Sequence, residues 1–91
     1  MVLKGFILIS VKDRQQILSA LAEHIELTKA EAGCLKFDIT PDDHCQDKYW
    51  VYEEFVNKAA FEYHQARVRS SHWGRVSADV ERHYEALLEL V

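Results

Sequence analysis

The segment Tyr49–His64 reads Y-W-V-Y-E-E-F-V-N-K-A-A-F-E-Y-H. Its first half is rich in aromatic and β-branched residues, which suit a pleated strand. Asn57 follows, a good helix cap, and Lys58 to His64 continues with helical character. Successive strand side chains point to opposite faces. Trp50 and Tyr52 therefore share one face, and Val51 and Phe55 share the other. A strand that is apolar on both sides needs cover on both sides.

The flanking sequence supplies the other elements. Val2 to Val11 is a nearly continuous apolar run, the pattern of a buried strand. Asp13 is placed to cap a helix that the periodicity carries to about Ala32. Its apolar stripe is Ile17, Leu21 and Ile25, with Leu18 and Ala22 alongside. Gly33 stops it. Cys34–Thr40 alternates as a second strand, with Leu35, Phe37 and Ile39 on one face. Pro41-Asp42-Asp43 opens a turn, and the loop runs to about Asp47. After the quoted strand, a helix spans Lys58 to about Val68, and Ser70 or Ser71 caps a second helical piece carrying Trp73, Val76 and Val80. His83–Val91 has high helix propensity, yet a third helix would leave a three-stranded sheet with an unpaired edge, so a strand is expected.

The order is β-α-β-β-α-β, the ferredoxin-like α+β arrangement: a four-stranded antiparallel sheet with both helices on one face. Two helices cover one sheet face. Nothing remains to cover the face bearing Trp50 and Tyr52, so it is expected to pair with a second copy, two sheets closing into a dimeric α+β barrel.

The bulk numbers agree with a single domain over residues 1–91, 48% hydrophobic and 29% charged, with only 3 Gly and 1 Pro for linkers. A net charge of −4 argues against nucleic acid as a partner. Between Asn57 and Tyr84, five basic residues (Lys58, Arg67, Arg69, Arg75, Arg82) outweigh three acidic ones, leaving +2 there and −6 elsewhere. A solvated helix face and a site for an anionic ligand both account for this. The two cysteines, Cys34 and Cys45, are expected to be reduced. Met1–Ser10 lacks the features of a signal peptide, and no run has the length of a membrane span, so no membrane association and a cytoplasmic location are expected.

Four motifs carry a resemblance. They are Gly33-Cys34-Leu35-Lys36-Phe37, Tyr52-Glu53-Glu54-Phe55, Ala59-Ala60-Phe61 with His64, and Ser71-His72-Trp73. Together they resemble the antibiotic biosynthesis monooxygenase domain family over nearly the whole chain. The resemblance implies a dimeric α+β barrel that oxidises a phenol, anthrone or quinol to a quinone with O2 and no cofactor. Relatives on the same fold isomerise small phosphorylated sugars or degrade haem. The haem-degrading type places an Asn on the first strand, where this chain has Phe6, Ile7 and Leu8. An isomerase or binding protein for a small anionic metabolite, and a module that only dimerises, are the competing readings.

Glu53 and His64 are the candidate catalytic pair. Glu53 lies on the Val51/Phe55 face, and His64 lies on the following helix. A carboxylate bonded to an imidazole orients the ring and raises its basicity, as a general base requires. A buried structural tie needs the same pair. Asn57, His72, Trp73 and Arg67 are the candidate substrate-binding residues: an amide donor, an imidazole and an indole at a helix break, and a guanidinium for an anionic group. The alternatives are, respectively, a helix cap, a surface His, a core Trp and a solvated Arg. Cys34, His44 and Cys45 match no zinc spacing, so no metal is expected. No phosphate loop, dinucleotide fingerprint or Ser-His-Asp signature is present.

Overall fold

The computed structural model describes residues 1–88. Its elements are β1 (Val2–Leu8), α1 (Arg14–Lys29), β2 (Cys34–Pro41), β3 (Lys48–Phe55), α2 (Lys58–Arg69), α3 (His72–Val76) and β4 (Glu81–Leu88). The four strands form one antiparallel sheet in the order β2-β3-β1-β4. This is the ferredoxin-like α+β fold. The C-terminal segment is a strand despite its helix propensity, because β1 offers it a free edge from Leu8↔Glu81 to Val2↔Leu88. The last three residues of the expected strand, 89–91, lie outside the described residues. No helix is long and apolar enough to cross a membrane among the described residues.

Four local features differ from expectation. β1 stops at Leu8, because Ser10 and Val11 accept turn hydrogen bonds from the Asp13 and Arg14 amides, leaving Val11 exposed. Asp13 stands at the N-cap of α1, but its side chain makes no capping bond. α1 ends at Lys29, not Ala32, and the Glu31 amide closes the turn onto the Thr28 carbonyl. In β2 the register slips between Cys34 and Lys36, with Cys34 opposite Phe55. The bulge extrudes Leu35 to solvent, so Cys34 takes the inward position expected for Leu35.

The helix-side face of the sheet buries two apolar clusters. One gathers Ile7, Ile9, Ile17, Leu21, Val51 and Trp73; the other gathers Met1, Leu3, Phe55 and Phe61. Glu53 sits on β3 between Val51 of the first and Phe55 of the second. The opposite face is part covered by its own side chains. Phe6 packs edge-on to Trp50 at 5.5 Å and stacks on His83 at 4.8 Å. The Lys48 ammonium lies 4.2 Å and 4.1 Å from the Phe6 and Trp50 rings, and the indole N–H donates to Asp42 at 2.8 Å. Trp50 still keeps 38% of its surface exposed.

Gly5 lies where the β1–β4 register shifts. A Cβ there would come within 2.2 Å of the His83 carbonyl oxygen and 2.6 Å of the Tyr84 Cα, both backbone atoms. Gly5→Ala is therefore expected to destabilise the fold by about 1–3 kcal/mol. It would appear as a lower urea midpoint, and an unchanged midpoint would show that β4 yields without cost.

Candidate active site

The early end of α1 is what builds the site. Glu31, in the turn after the helix, folds back against α2, and its side chain is 8% exposed. His64 of α2 is 2% exposed, and its Nδ1 lies 2.8 Å from Glu31 Oε2. Arg67, one turn later, donates from Nε to Glu31 Oε1 at 3.3 Å and from Nη2 to Thr28 Oγ1 at 3.0 Å. The other imidazole nitrogen, Nε2, lies 3.8 Å from Glu53 Oε1. That distance is too long for a hydrogen bond. Glu53 Oε1 is buried and has no hydrogen-bond partner among the described residues.

An ionised carboxylate accepts hydrogen bonds and donates none. With Glu31 on Nδ1, that nitrogen carries the imidazole hydrogen, and the Nε2 lone pair is turned toward Glu53. The pairing foreseen between Glu53 and His64 is thus split between two carboxylates. Glu31 orients the ring by direct bonding; Glu53 stands opposite the basic nitrogen.

Aromatic rings enclose the cluster. Phe55 and Phe37 approach the His64 ring at 5.0 Å and 5.9 Å. His24 of α1 stacks on Trp73 at 5.3 Å with the planes 12° apart, and its centroid is 5.6 Å from that of His64. His24 is 4% exposed, and its Nδ1 has no partner among the described residues. These surroundings act on the charges. Burial, with help from His64 and Arg67, drives His24 down to about 3. Burial, with the Glu31 charge in support, lifts Glu53 to about 7. Burial also lowers His64, against the opposing pull of Glu31. Both histidines are therefore neutral at neutral pH.

Of the residues singled out in the sequence, Glu53, His64, Trp73 and Arg67 meet in this cluster. Trp73 is a buried wall behind His24, and Arg67 holds Glu31. Asn57 and His72 lie outside it. The Asn57 side-chain Oδ1 caps α2 by accepting from the Ala60 amide at 2.9 Å, and His72 is exposed at the start of α3. Cys34 opens β2 and Cys45 lies in the loop past its other end, and no group of three or more metal-ligating side chains occurs among the described residues.

Glu31 and His24 were not foreseen. For His24 a signal existed: Ile17, Leu21, His24 and Thr28 follow helical spacing, and all four are buried. Glu31 gave none, because its role depends on where α1 stops.

The four motifs have structural reasons as well. A Cβ on Gly33 would fall 2.4 Å from the Ala60 Cβ, so the glycine and the alanine let β2 and α2 approach. Ser71 caps α3 by accepting from the Gly74 amide at 3.0 Å, which turns Trp73 inward. The antibiotic biosynthesis monooxygenase family model matches residues 6–87. The chain belongs to this family.

Solved structures bear out the fold. A Bacteroides thetaiotaomicron protein, provisionally named an antibiotic biosynthesis monooxygenase, superposes with a TM-score of 0.80 at 17% identity, covering 100% of this chain and 90% of its own. A Nitrosomonas europaea protein with the same provisional name gives 0.78 at 16% identity, covering 96% and 88%. PA3566 from Pseudomonas aeruginosa gives 0.72 at 24% identity, covering 96% and 92%. No curated protein matches the chain.

The two shifted groups pull stability in opposite directions. Glu53, raised from 4.5 to about 7, contributes stability that is complete below about pH 4.5 and lost as pH rises through about 7. His24, lowered from 6.5 to about 3, contributes stability that is complete above about pH 6.5 and lost as pH falls through about 3. Between about pH 5 and about pH 8, Glu53→Gln is expected to lose less stability than the parent, by about 2–3 kcal/mol, in urea titrations at each pH. Parallel stability curves would show that Glu53 ionises as freely in the folded protein as in the unfolded one.

Proposed function

We propose that the chain is a monooxygenase that oxidises a phenolic or quinol-like aromatic with O2 and needs no cofactor. The observation that carries this reading is His64. It is a neutral imidazole held by Glu31 with its basic nitrogen turned into an aromatic-walled interior, in a chain of this family.

The chemistry asks little else of the protein. His64 Nε2 takes the phenol proton. The phenolate passes one electron to O2, and the resulting radical and superoxide join at the para ring carbon. The imidazolium returns the phenol proton to the outer oxygen of that peroxide, and the freed base then takes the carbon's proton as the O–O bond breaks. One oxygen stays as the quinone carbonyl and the other leaves as water. All four electrons that reduce O2 come from the substrate, so phenol and O2 give quinone and water with no outside reductant. Glu53, uncharged below about pH 7, supplies the second proton of the departing water and takes its own back from the His64 imidazolium, whose Nε2 faces it. Glu31 fixes the imidazole tautomer, and Arg67 fixes Glu31. Trp73 and Phe37 supply apolar wall. Asn57 and His72, outside the cluster, take no part in this step.

Protein free of metal and flavin is expected to consume O2 with a phenol or anthrone that carries hydrogen at the carbon to be oxidised, and to release quinone without hydrogen peroxide. His64→Ala should lower kcat by about 100-fold or more, the usual range for a lost general base. Glu31→Gln should lower it less, because the amide oxygen can still accept from the imidazole Nδ1–H. Unchanged turnover in His64→Ala would remove His64 from the mechanism.

We further propose that the chain forms a homodimer through the outer sheet face of Phe6, Trp50 and Tyr52. The support is the residual exposure of Trp50 on a face that no element among the described residues crosses. Sedimentation at micromolar concentration should show a dimer, and Trp50→Glu should shift it to monomer. A monomeric parent protein would sink the pairing.

A further inference from the structure

A groove of about 510 Å³ opens on the helix side of the fold, where the turn after α1 meets α2. Its floor is made small by Ala30, Gly33 and Ala60. Leu27 and Tyr63 stand over it, 46% and 66% exposed, although both are large side chains of the kind folding usually covers. The two charged residues that line it are Glu31 and Arg67, and they are unequal. The Glu31 side chain is 8% exposed, with one oxygen on His64 and the other on Arg67. The Arg67 side chain is 23% exposed, and its second terminal nitrogen makes no hydrogen bond among the described residues. What the groove presents is thus an apolar slot, an aromatic wall and one guanidinium nitrogen with donor capacity left.

We propose that this groove binds a small monocarboxylate with a flat apolar body, the carboxylate on Arg67 and the body against Tyr63 and Leu27, and that its binding acts on the buried His64 through Glu31. The volume is that of a small-molecule site rather than of a helix-binding cleft. A guanidinium takes a carboxylate well. The adjacent Glu31 charge disfavours a dianion such as phosphate, and the walls ask for more than an inorganic ion can offer.

The link to His64 is a chain of contacts. Arg67 bonds Glu31 at 3.3 Å, and Glu31 bonds the imidazole at 2.8 Å. The charged and titratable groups around His64 are Glu31 from the turn after α1, Arg67 on its own helix, Glu53 from β3 and His24 from α1. Of these, Arg67 weakens the imidazole's hold on a proton and Glu31 strengthens it. An anion that offsets the Arg67 charge tips the balance toward Glu31. The groove thus tunes the basicity of His64 from outside the core, which goes beyond the oxidation proposed above.

The test is a titration of the full chain with 2-naphthoate, followed by NMR of the backbone amides and of the imidazoles. Shifts should concentrate at residues 27–33 and 60–67, and the His64 titration midpoint should rise. Naphthalene-2-carboxamide, the uncharged counterpart, should bind at least about ten-fold more weakly. Ala30→Trp alters an exposed position and fills the slot, so it should abolish naphthoate binding while leaving the fold intact. Equal binding of the carboxamide would overturn the role of Arg67. Equal binding of inorganic phosphate would overturn the role of the slot, and shifts confined to the outer sheet face would overturn the site. A bound naphthoate that leaves the His64 midpoint fixed would overturn the coupling. None of these readouts involves turnover, so failure of the oxidation reading leaves them decisive.

Discussion

Glu31, His64 and Arg67 form the tie on which the rest of the architecture depends. The tie joins the end of α1 to α2 in a layer that would otherwise be held by apolar contact alone. Taking ionised groups out of water costs several kcal/mol each, and the loss is recovered only where each charge finds a partner. The fold meets this condition with few charges. Arg67 and Glu31 form one ion pair. His24 and His64 are kept neutral by burial, and Glu53 is pushed toward its uncharged form. Five ionisable side chains thus share the helix–sheet interface at little net charge. Breaking the Glu31 link would leave both a guanidinium and an imidazole to find new partners in a packed interior.

That tie also sets local geometry. α1 has to stop at Lys29 for Glu31 to turn under α2, and β2 has to start close enough to receive it. The absent side chain at Gly33 makes the second condition possible, because Ala60 occupies the place a Cβ would take. The bulge at Leu35 follows two residues later. It returns the strand to the register that puts Phe37 opposite Glu53, where its ring closes the site from the β2 side. Each step is small and local, and together they make a wall of the site out of one turn.

The element order was legible in the sequence because it rests on period and punctuation, which are local properties. Tyr49–His64 shows both, a two-residue alternation and then a capped helix. The candidate site was legible only in part. Glu53 and His64 could be placed on facing surfaces from their positions in β3 and α2, but the 3.8 Å gap between them could not. The direct partner of His64 comes from a turn whose position no periodicity fixes. Leu35 misled for the same reason: one extra residue reverses the face of a strand side chain, and nothing in an apolar stretch announces the extra residue. His24 was passed over because a polar residue within an apolar stripe looks like a gap in the stripe, whereas here it is part of the buried face.

The two faces of β3 divide the labour of the molecule. Outward, Trp50 and Tyr52 are held by Asp42, Glu54 and nearby lysines, a polar-tethered aromatic surface that suits a partner more than solvent. Inward, Val51 and Phe55 are plain core, and Glu53 between them is an acid kept from water. On the proposed reading, this inward placement supplies what a reaction without a cofactor needs. The substrate is the reductant, so the protein has only protons to manage. A neutral base takes one, and a neutral acid returns one. Neither group brings a charge to repel superoxide, and the low local dielectric strengthens each hydrogen bond at the moment charge moves onto oxygen. A permanently ionised carboxylate at position 53 would repel that developing negative charge. The burial that raises Glu53 toward neutrality is therefore the same feature that fits it to the acid's role.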